Sequence, residues 1–276
     1  MQKIRITGDS SWDMPVPGFV SIPLTVTLGD EDYLDGVNMT NEDIYAYYRE
    51  TGRTPKTAAI PPALYEEVFE RELKTHDAIV HISLSSHISA CHNNAKLVAK
   101  NYDNVYVIDG LSLSCGLALL GLDAAGRAEE GMPADKIAAR LEHLKHKVQT
   151  SFVVDTLEFL HKGGRCSGLA RFAASLLKIR PTIIMKGSMS VGKKYMGTTF
   201  ASAINKYIDD IFERHTRPDL RWLFITYSTA APEILEMTRD KIARIHKFEH
   251  VHICHTGGTI TSHCGENTIG LAFLNK

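Results

Sequence analysis

The chain has 276 residues, 44% hydrophobic and 23% charged, with 31 Lys and Arg against 32 Asp and Glu and a formal net charge of -1. That length supports one large core or two modest ones. The balanced charge excludes a nucleic-acid footprint and a polybasic membrane surface. The five cysteines, Cys91, Cys115, Cys166, Cys254 and Cys264, include no Cys-x-x-Cys pair. The expectation is reduced thiols in a cytoplasm rather than a secreted disulfide framework. The N-terminus reads as a strand entering a polar turn, not a signal peptide. The longest apolar run, Leu117–Leu122, is too short to span a bilayer.

Strands and helices alternate along the chain, which predicts an α/β architecture. Lys3–Thr7 reads as a strand opening into Gly8-Asp9-Ser10-Ser11, and Val20–Val26 as another. Thr40 caps a helix through about Glu50, and Asp43 three residues later completes a capping box. Pro62 suits the first turn of a helix with Leu64, Val68 and Leu73 on one face. Ala78–Leu84, Ser89–Tyr102, Val105–Asp109 and Ser114–Glu130 make successive β-α-β-α units. Pro133 starts a helix with Ile137, Leu141 and Leu144 inward.

Near residue 150 the pattern changes. Phe152–Val154 is a short strand, followed by a helix and the Gly163-Gly164-Arg165 turn. Thr182–Met185 and Ser190–Lys194 flank Gly187-Ser188 as a hairpin. Thr198–Arg214 and Ala231–His246 read as helices, and Leu223–Tyr227, Val251–Cys254 and Ile269–Phe273 as strands. A parallel-type first half and a hairpin-containing second half predict two domains, residues 1–152 and 153–276.

Four polar turns sit at strand ends: Gly8-Asp9-Ser10-Ser11, Thr57-Ala58-Ala59, Ser85-Ser86-His87-Ile88-Ser89 and Asp109-Gly110. In an open parallel sheet, ligands bind outside the carboxyl ends of the strands. The third turn is the most informative, because an apolar strand stops in a hydroxyl cluster and Ser89 stands where a helix begins. Unpaired N–H groups and the helix dipole favour an anion there. The plainer reading of Ser89 is an N-cap, and the local string leaves both readings open. Gly163-Gly164-Arg165 delivers a guanidinium suited to a carboxylate or phosphate, or else caps the preceding helix. His252, Cys254, His255, His263 and Cys264 invite a zinc reading, but their spacing fits no compact site, so no metal is expected. No Gly-x-Ser-x-Gly elbow and no P-loop are present.

In combination the motifs resemble the DegV family of fatty-acid-binding proteins, which includes the lipid-binding B subunits of bacterial fatty acid kinase. The resemblance spans the whole chain. It runs from Asp9-Ser10-Ser11 with Asp13-Met14-Pro15, through Ile22-Pro23-Leu24-Thr25-Val26, Tyr33-Leu34-Asp35-Gly36 and Pro55-Lys56-Thr57, to Ser85-Ser86-His87-Ile88-Ser89 and Val107-Ile108-Asp109. Asp155–Leu160 leading into Gly163-Gly164-Arg165, Leu176–Pro181 and His263-Cys264-Gly265 complete it. The implied fold has an N-terminal three-layer α/β/α domain with a mainly parallel sheet and a C-terminal two-layer α/β domain with a mixed sheet, with a lipid tunnel near their junction.

The resemblance implies one long-chain fatty acid and no cofactor. Its carboxylate would be bound by Thr57 and Ser89, with Ser85, Ser86, Ala90, Arg165, His263 and Gly265 around the head group. The chain would then be a non-catalytic cytoplasmic carrier in phospholipid synthesis, without stable membrane insertion. It would present the carboxylate to a separate fatty acid kinase subunit that makes acyl phosphate. Several positions depart from the family pattern: Ala58 and Ala59, Ala90 and Cys91, Glu266 and Asn267, and the segment near Tyr195-Met196, where the family usually carries an Arg. The family also resembles the substrate-binding half of dihydroxyacetone kinases, so an alternative is a small-molecule kinase or transferase using His263 as nucleophile or base. A third reading is a metal-binding or regulatory protein using the C-terminal His and Cys residues.

Overall fold

The computed structural model describes residues 2–13, 18–167, 179–196 and 199–276. The motif residues Met14-Pro15 and Leu176-Leu177-Lys178, and the expected helix start at Thr198, lie outside the described residues.

The chain opens with β1 (Ile4–Asp9), a single 3-10 turn at Ser10–Trp12, and β2 (Val20–Ile22). The strand expected over 20–26 divides in two. Pro23 has no N–H to give a ladder, so β2 ends there and β3 (Thr25–Leu28) joins another sheet. β3 pairs antiparallel with β4 (Glu31–Leu34) on one side. Next comes α1 (Asn41–Thr51), whose expected capping box forms: Thr40 Oγ1 accepts from Asp43 N–H, and Asp43 Oδ2 accepts from Thr40 N–H at 2.7 Å. β5 (Lys56–Ala58) then completes a small sheet of order β4-β3-β5.

α2 (Pro62–Leu73) carries its proline at the first turn. Its inner face is rotated from the expected one: Tyr65, Val68 and Phe69 are buried, while Leu64 and Leu73 are half-buried. β6 (Ala78–Ser83), α3 (Cys91–Ala99), β7 (Val105–Asp109), α4 (Cys115–Glu129) and α5 (Ala134–Leu144) follow. The order β2-β1-β6-β7 is parallel throughout. Every residue of β6 is buried, as expected of an inner strand covered on both faces by helices.

The second half builds a seven-stranded mixed sheet. Its elements are β8 (Val148–Val154), α6 (Glu158–Gly163), β9 (Cys166–Ser167), β10 (Ile179–Lys186), β11 (Ser188–Met196), α7 (Phe200–Arg214), β12 (Pro218–Tyr227), α8 (Pro232–Ile245), β13 (His250–His255), α9 (Gly258–Cys264) and β14 (Thr268–Asn275). The sheet order is β13-β12-β14-β8-β10-β11-β9. The expected hairpin is β10–β11, turned by Gly187 at φ +72°. α7 buries Ile204, Tyr207, Ile208 and Ile211 at helical spacing, in one core with Val153, Leu271 and Phe273 of the sheet. β8 pairs only with β10 and β14. The expected division at 152/153 falls within β8.

α4 explains the apolar run at Leu117–Leu122. One side of the helix, with Leu117, Leu120 and Ala124, joins the core of the parallel sheet. The other side, with Cys115, Ala118 and Leu119, packs against Phe224, Cys254, Ala272 and Leu274 of the mixed sheet. A helix buried between two sheets has little need of a polar face. Gly116 permits the close approach: a Cβ there would lie 2.2 Å from Ser112 Oγ and from Thr150 Oγ1.

Candidate functional site

An apolar cavity of about 190 Å³ lies beyond the carboxyl ends of β6 and β7. Leu84, Ile88 and Leu113 from the parallel unit form part of its wall, with Leu160, Met189 and Ile260 opposite. Its polar groups are Thr57, Ser89, Arg165, Thr259 and His263. They come from different elements: Thr57 from β5, Ser89 from the turn before α3, Arg165 from the turn after α6, and Thr259 and His263 from α9.

Thr57 and His263 meet directly, with Oγ1 and Nε2 2.8 Å apart. Burial, and then the Arg165 guanidinium, hold the imidazole down to about 4 from its ordinary 6.5, so it is neutral at neutral pH. His263 Nδ1 is buried without a hydrogen-bond partner among the described residues. It faces Gly163 so closely that a Cβ there would lie 2.3 Å away. A proton on Nδ1 would point at carbon with no acceptor, whereas a bare lone pair sits there at lower cost. We therefore assign the proton to Nε2, donating to Thr57 Oγ1. The Thr57 hydroxyl then keeps its own proton for a ligand.

Ser89 does not occupy the N-cap position. α3 begins at Cys91, with Ala90 as N-cap and no side-chain capping bond at that position. Ser89 Oγ instead accepts from Cys91 N–H at 3.3 Å and donates to Cys91 Sγ at 3.1 Å. Sulfur is a weak acceptor, so this hydroxyl can turn to a better one. Arg165 is exposed, donates to the Gly163 carbonyl at 2.7 Å, and pairs with no carboxylate among the described residues. Ala58, Ala59 and Ala90 also line the cavity.

Three other sequence candidates do different work. Ser85 Oγ donates to the Gly187 carbonyl at 2.5 Å, tying the turn after β6 to the β10–β11 hairpin. Ser86 gives its N–H and its hydroxyl to Asp109. Gly265 lies behind the cavity as the end of α9, with φ +70°, and a Cβ there would meet the Phe159 ring at 2.7 Å. Asp9 is likewise a framework residue, accepting from Tyr65 Oη, Ser83 Oγ and Leu84 N–H. Among the departures, Glu266 pairs with Arg49 at 3.3 Å, and Met196 is exposed at the end of β11.

Sequence reasoning missed the two aspartic side chains that hold α9, Asp35 and Asp13. Asp35 accepts from Gly258 and Thr259 N–H at 2.7 and 3.1 Å, and Asp13 accepts from Gly257 N–H at 2.8 Å. The available signal was Asp13 and Asp35-Gly36 standing in motifs with no assigned task, far in sequence from a Gly257-Gly258 turn. Gly163 was read for turn conformation, yet its φ is ordinary, and its missing Cβ is what His263 requires. Among the described residues, no three His, Cys, Asp or Glu side chains converge as a metal site.

An α/β chain of three sheets with an apolar pocket whose polar groups are hydroxyls, an imidazole and a guanidinium is a recognisable class. The chain matches the family described as "Uncharacterised protein, DegV family" over residues 3–276. A DegV domain-containing protein of Caldanaerobacter subterraneus is 31% identical over 205 residues, covering 71% of this chain and 73% of that protein. A DegV family protein from Thermus thermophilus, whose structure concerns fatty acid binding, superposes with a TM-score of 0.90 at 25% identity over 99% of this chain and all of that one. The Streptococcus pneumoniae Fatty Acid Kinase (Fak) B3 protein, loaded with linoleic acid, shares the fold with a TM-score of 0.87 at 20% identity, over 99% of this chain and all of that one. The chain belongs to the DegV family.

Proposed function

We propose that this protein is a carrier for one long-chain fatty acid and that it presents the carboxylate to a separate kinase for acyl phosphate formation. The observation that carries the reading is a cavity with an apolar wall whose few polar groups include Thr57, Ser89, His263 and Arg165. Each methylene that leaves water for such a wall contributes about 0.8 kcal/mol. The carboxylate needs several donors once desolvated. Thr57, with its proton free, and Ser89, whose present acceptor is sulfur, meet that need. The Thermus thermophilus relative supports the ligand class.

The kinase step is the finer part of the proposal. The fold shared with the Streptococcus pneumoniae protein agrees with it. Arg165, exposed at the cavity with no carboxylate partner among the described residues, suits the charge added when carboxylate becomes acyl phosphate. The apolar wall favours an acyl chain over the small polar substrate of a dihydroxyacetone-kinase-like enzyme. All five cysteines are buried, which agrees with a reducing cytoplasm.

Native mass spectrometry of protein purified without added lipid tests the carrier reading, with one fatty acid per chain expected. An empty protein that also fails to take up palmitate or oleate refutes it. In a reconstituted kinase assay, His263→Ala is expected to retain lipid and lose acyl phosphate formation. Phosphorylation by this chain alone would establish the enzyme reading instead.

A further inference from the structure

We propose that Asp35 is the positioning residue for His263, and that the small sheet β4-β3-β5 acts as a gauge setting where the imidazole stands at the cavity. Asp35 is almost fully buried directly after β4. Its two oxygens accept three hydrogen bonds: Gly258 N–H at 2.7 Å, Thr259 N–H at 3.1 Å and Ser10 Oγ at 2.8 Å. The first two are unpaired N–H groups of the first turn of α9, so Asp35 caps that helix from a distant part of the chain. Asp35 is itself fixed, its N–H donating to the Leu24 carbonyl at 2.9 Å.

The same sheet grips the other end of the helix. Thr57 on β5 meets His263 in the last turn of α9 at 2.8 Å. β3 stands between the two contacts, with Thr25 paired to Leu34 on β4 and to Ala58 on β5. From Gly258 to His263 the helix rises roughly 7.5 Å. One rigid three-stranded unit therefore fixes both the axial place and the rotation of the helix. α9 has seven residues, too few to hold a helical conformation unaided, so outside contacts decide where its side chains stand. Asp13, which accepts from Gly257 N–H, holds the approach to the helix but bonds none of the N–H groups within it that the structure records.

The functional consequence rests on the carrier reading; the positional claim does not. Asp35→Asn keeps the shape but offers an amide N–H₂ where a carboxylate oxygen accepted. The test follows the His263 imidazole by NMR titration of lipid-free, isotopically labelled protein, assigning its signal by its absence in His263→Gln. Asp35→Asn is expected to shift His263 titration from its depressed value toward the ordinary 6.5. In the reconstituted kinase assay, turnover should fall about 10- to 100-fold, with KM for lipid-loaded protein little changed. Ser10→Ala, which removes one bond to Asp35 and the acceptor of Leu24 N–H but leaves both bonds to α9, should give a smaller shift in the same direction. A folded Asp35→Asn protein whose His263 titrates as in the wild type overturns the proposal. Should Asp35→Asn not fold, Ser10→Ala decides, and a wild-type titration there overturns it equally. Failure of the wild-type protein to bind any fatty acid would remove the carrier reading and leave the titration, with the positional claim, to stand or fall separately.

Discussion

The imidazole of His263 rests against the backbone of Gly163, in the space a methyl group would need. The ideal Cβ position on Gly163 is 2.3 Å from Nδ1 and 3.1 Å from Cε1. Gly163→Ala must therefore displace the ring, and with it the hydrogen bond to Thr57. Overpacking of this kind costs about 1–3 kcal/mol. The expected outcome is a lower melting temperature together with weaker fatty-acid binding. A variant with wild-type melting and affinity would show that the ring has room the structure does not record.

Ser89→Ala tests the hydroxyl facing the cavity. If Ser89 donates to a charged oxygen, its loss should weaken fatty-acid binding by about 1.5–3 kcal/mol. Stability should change less, because the two bonds lost, from Cys91 N–H at 3.3 Å and to the weak acceptor Cys91 Sγ, are both weak. Equilibrium dialysis with a labelled fatty acid, alongside thermal melts, separates the two effects. Unchanged affinity would confine Ser89 to organising the start of α3.

His263 makes folding sensitive to acid. Its folded value lies near 4 and its ordinary value at 6.5. Between these the unfolded chain takes up a proton that the folded chain refuses, so stability falls as pH drops through that window. The loss is at most ~3 kcal/mol by pH 4. Urea melts across this range should show it in the wild type, and His263→Gln should flatten it.

Asp13 acts with the opposite sign. Burial pushes its carboxyl up to about 8 from 3.8, against the hydrogen bonds from Ser114 and Gly257. Across that window the folded chain holds a proton the unfolded chain has released, so stability falls as pH rises through it. Asp13→Asn removes this titration while keeping an acceptor for Gly257 N–H. The variant is expected to gain on the wild type as pH rises from about 5 to about 8. Parallel pH profiles for the two proteins would contradict the assignment.

Much of the architecture was legible because hydrophobic period and turn chemistry are local. The Thr40–Asp43 capping box, the Gly187 hairpin and the β6-α3-β7 unit all follow from a few adjacent residues. What escaped was set by tertiary geometry. A single proline sent β2 and β3 to separate sheets, and nothing near Val20–Val26 names the second partner. Ser89 falls two residues short of α3, with its hydroxyl bonded to Cys91 N–H, a choice the string Ser-Ala-Cys leaves open. Of the candidates for the head group, Thr57, Ser89, Ala90, Arg165 and His263 do line one cavity. Ser85, Ser86 and Gly265 do not line it and are bonded to partners elsewhere along the chain. The Asp35 clamp joins residues 223 and 224 positions apart, beyond any periodicity argument.

The place of α4 between the two sheets bears on how the molecule comes apart. Leu117 and Leu120 belong to one core while Leu119 belongs to the other, and all three are at most 2% exposed. Cutting the chain before Val148 would strip one side of that helix bare on the first fragment and leave Phe224, Ala272 and Leu274 uncovered on the second. Each half would expose a continuous oily stripe and stick to its neighbours. The halves share their mortar, and the chain should melt in one step.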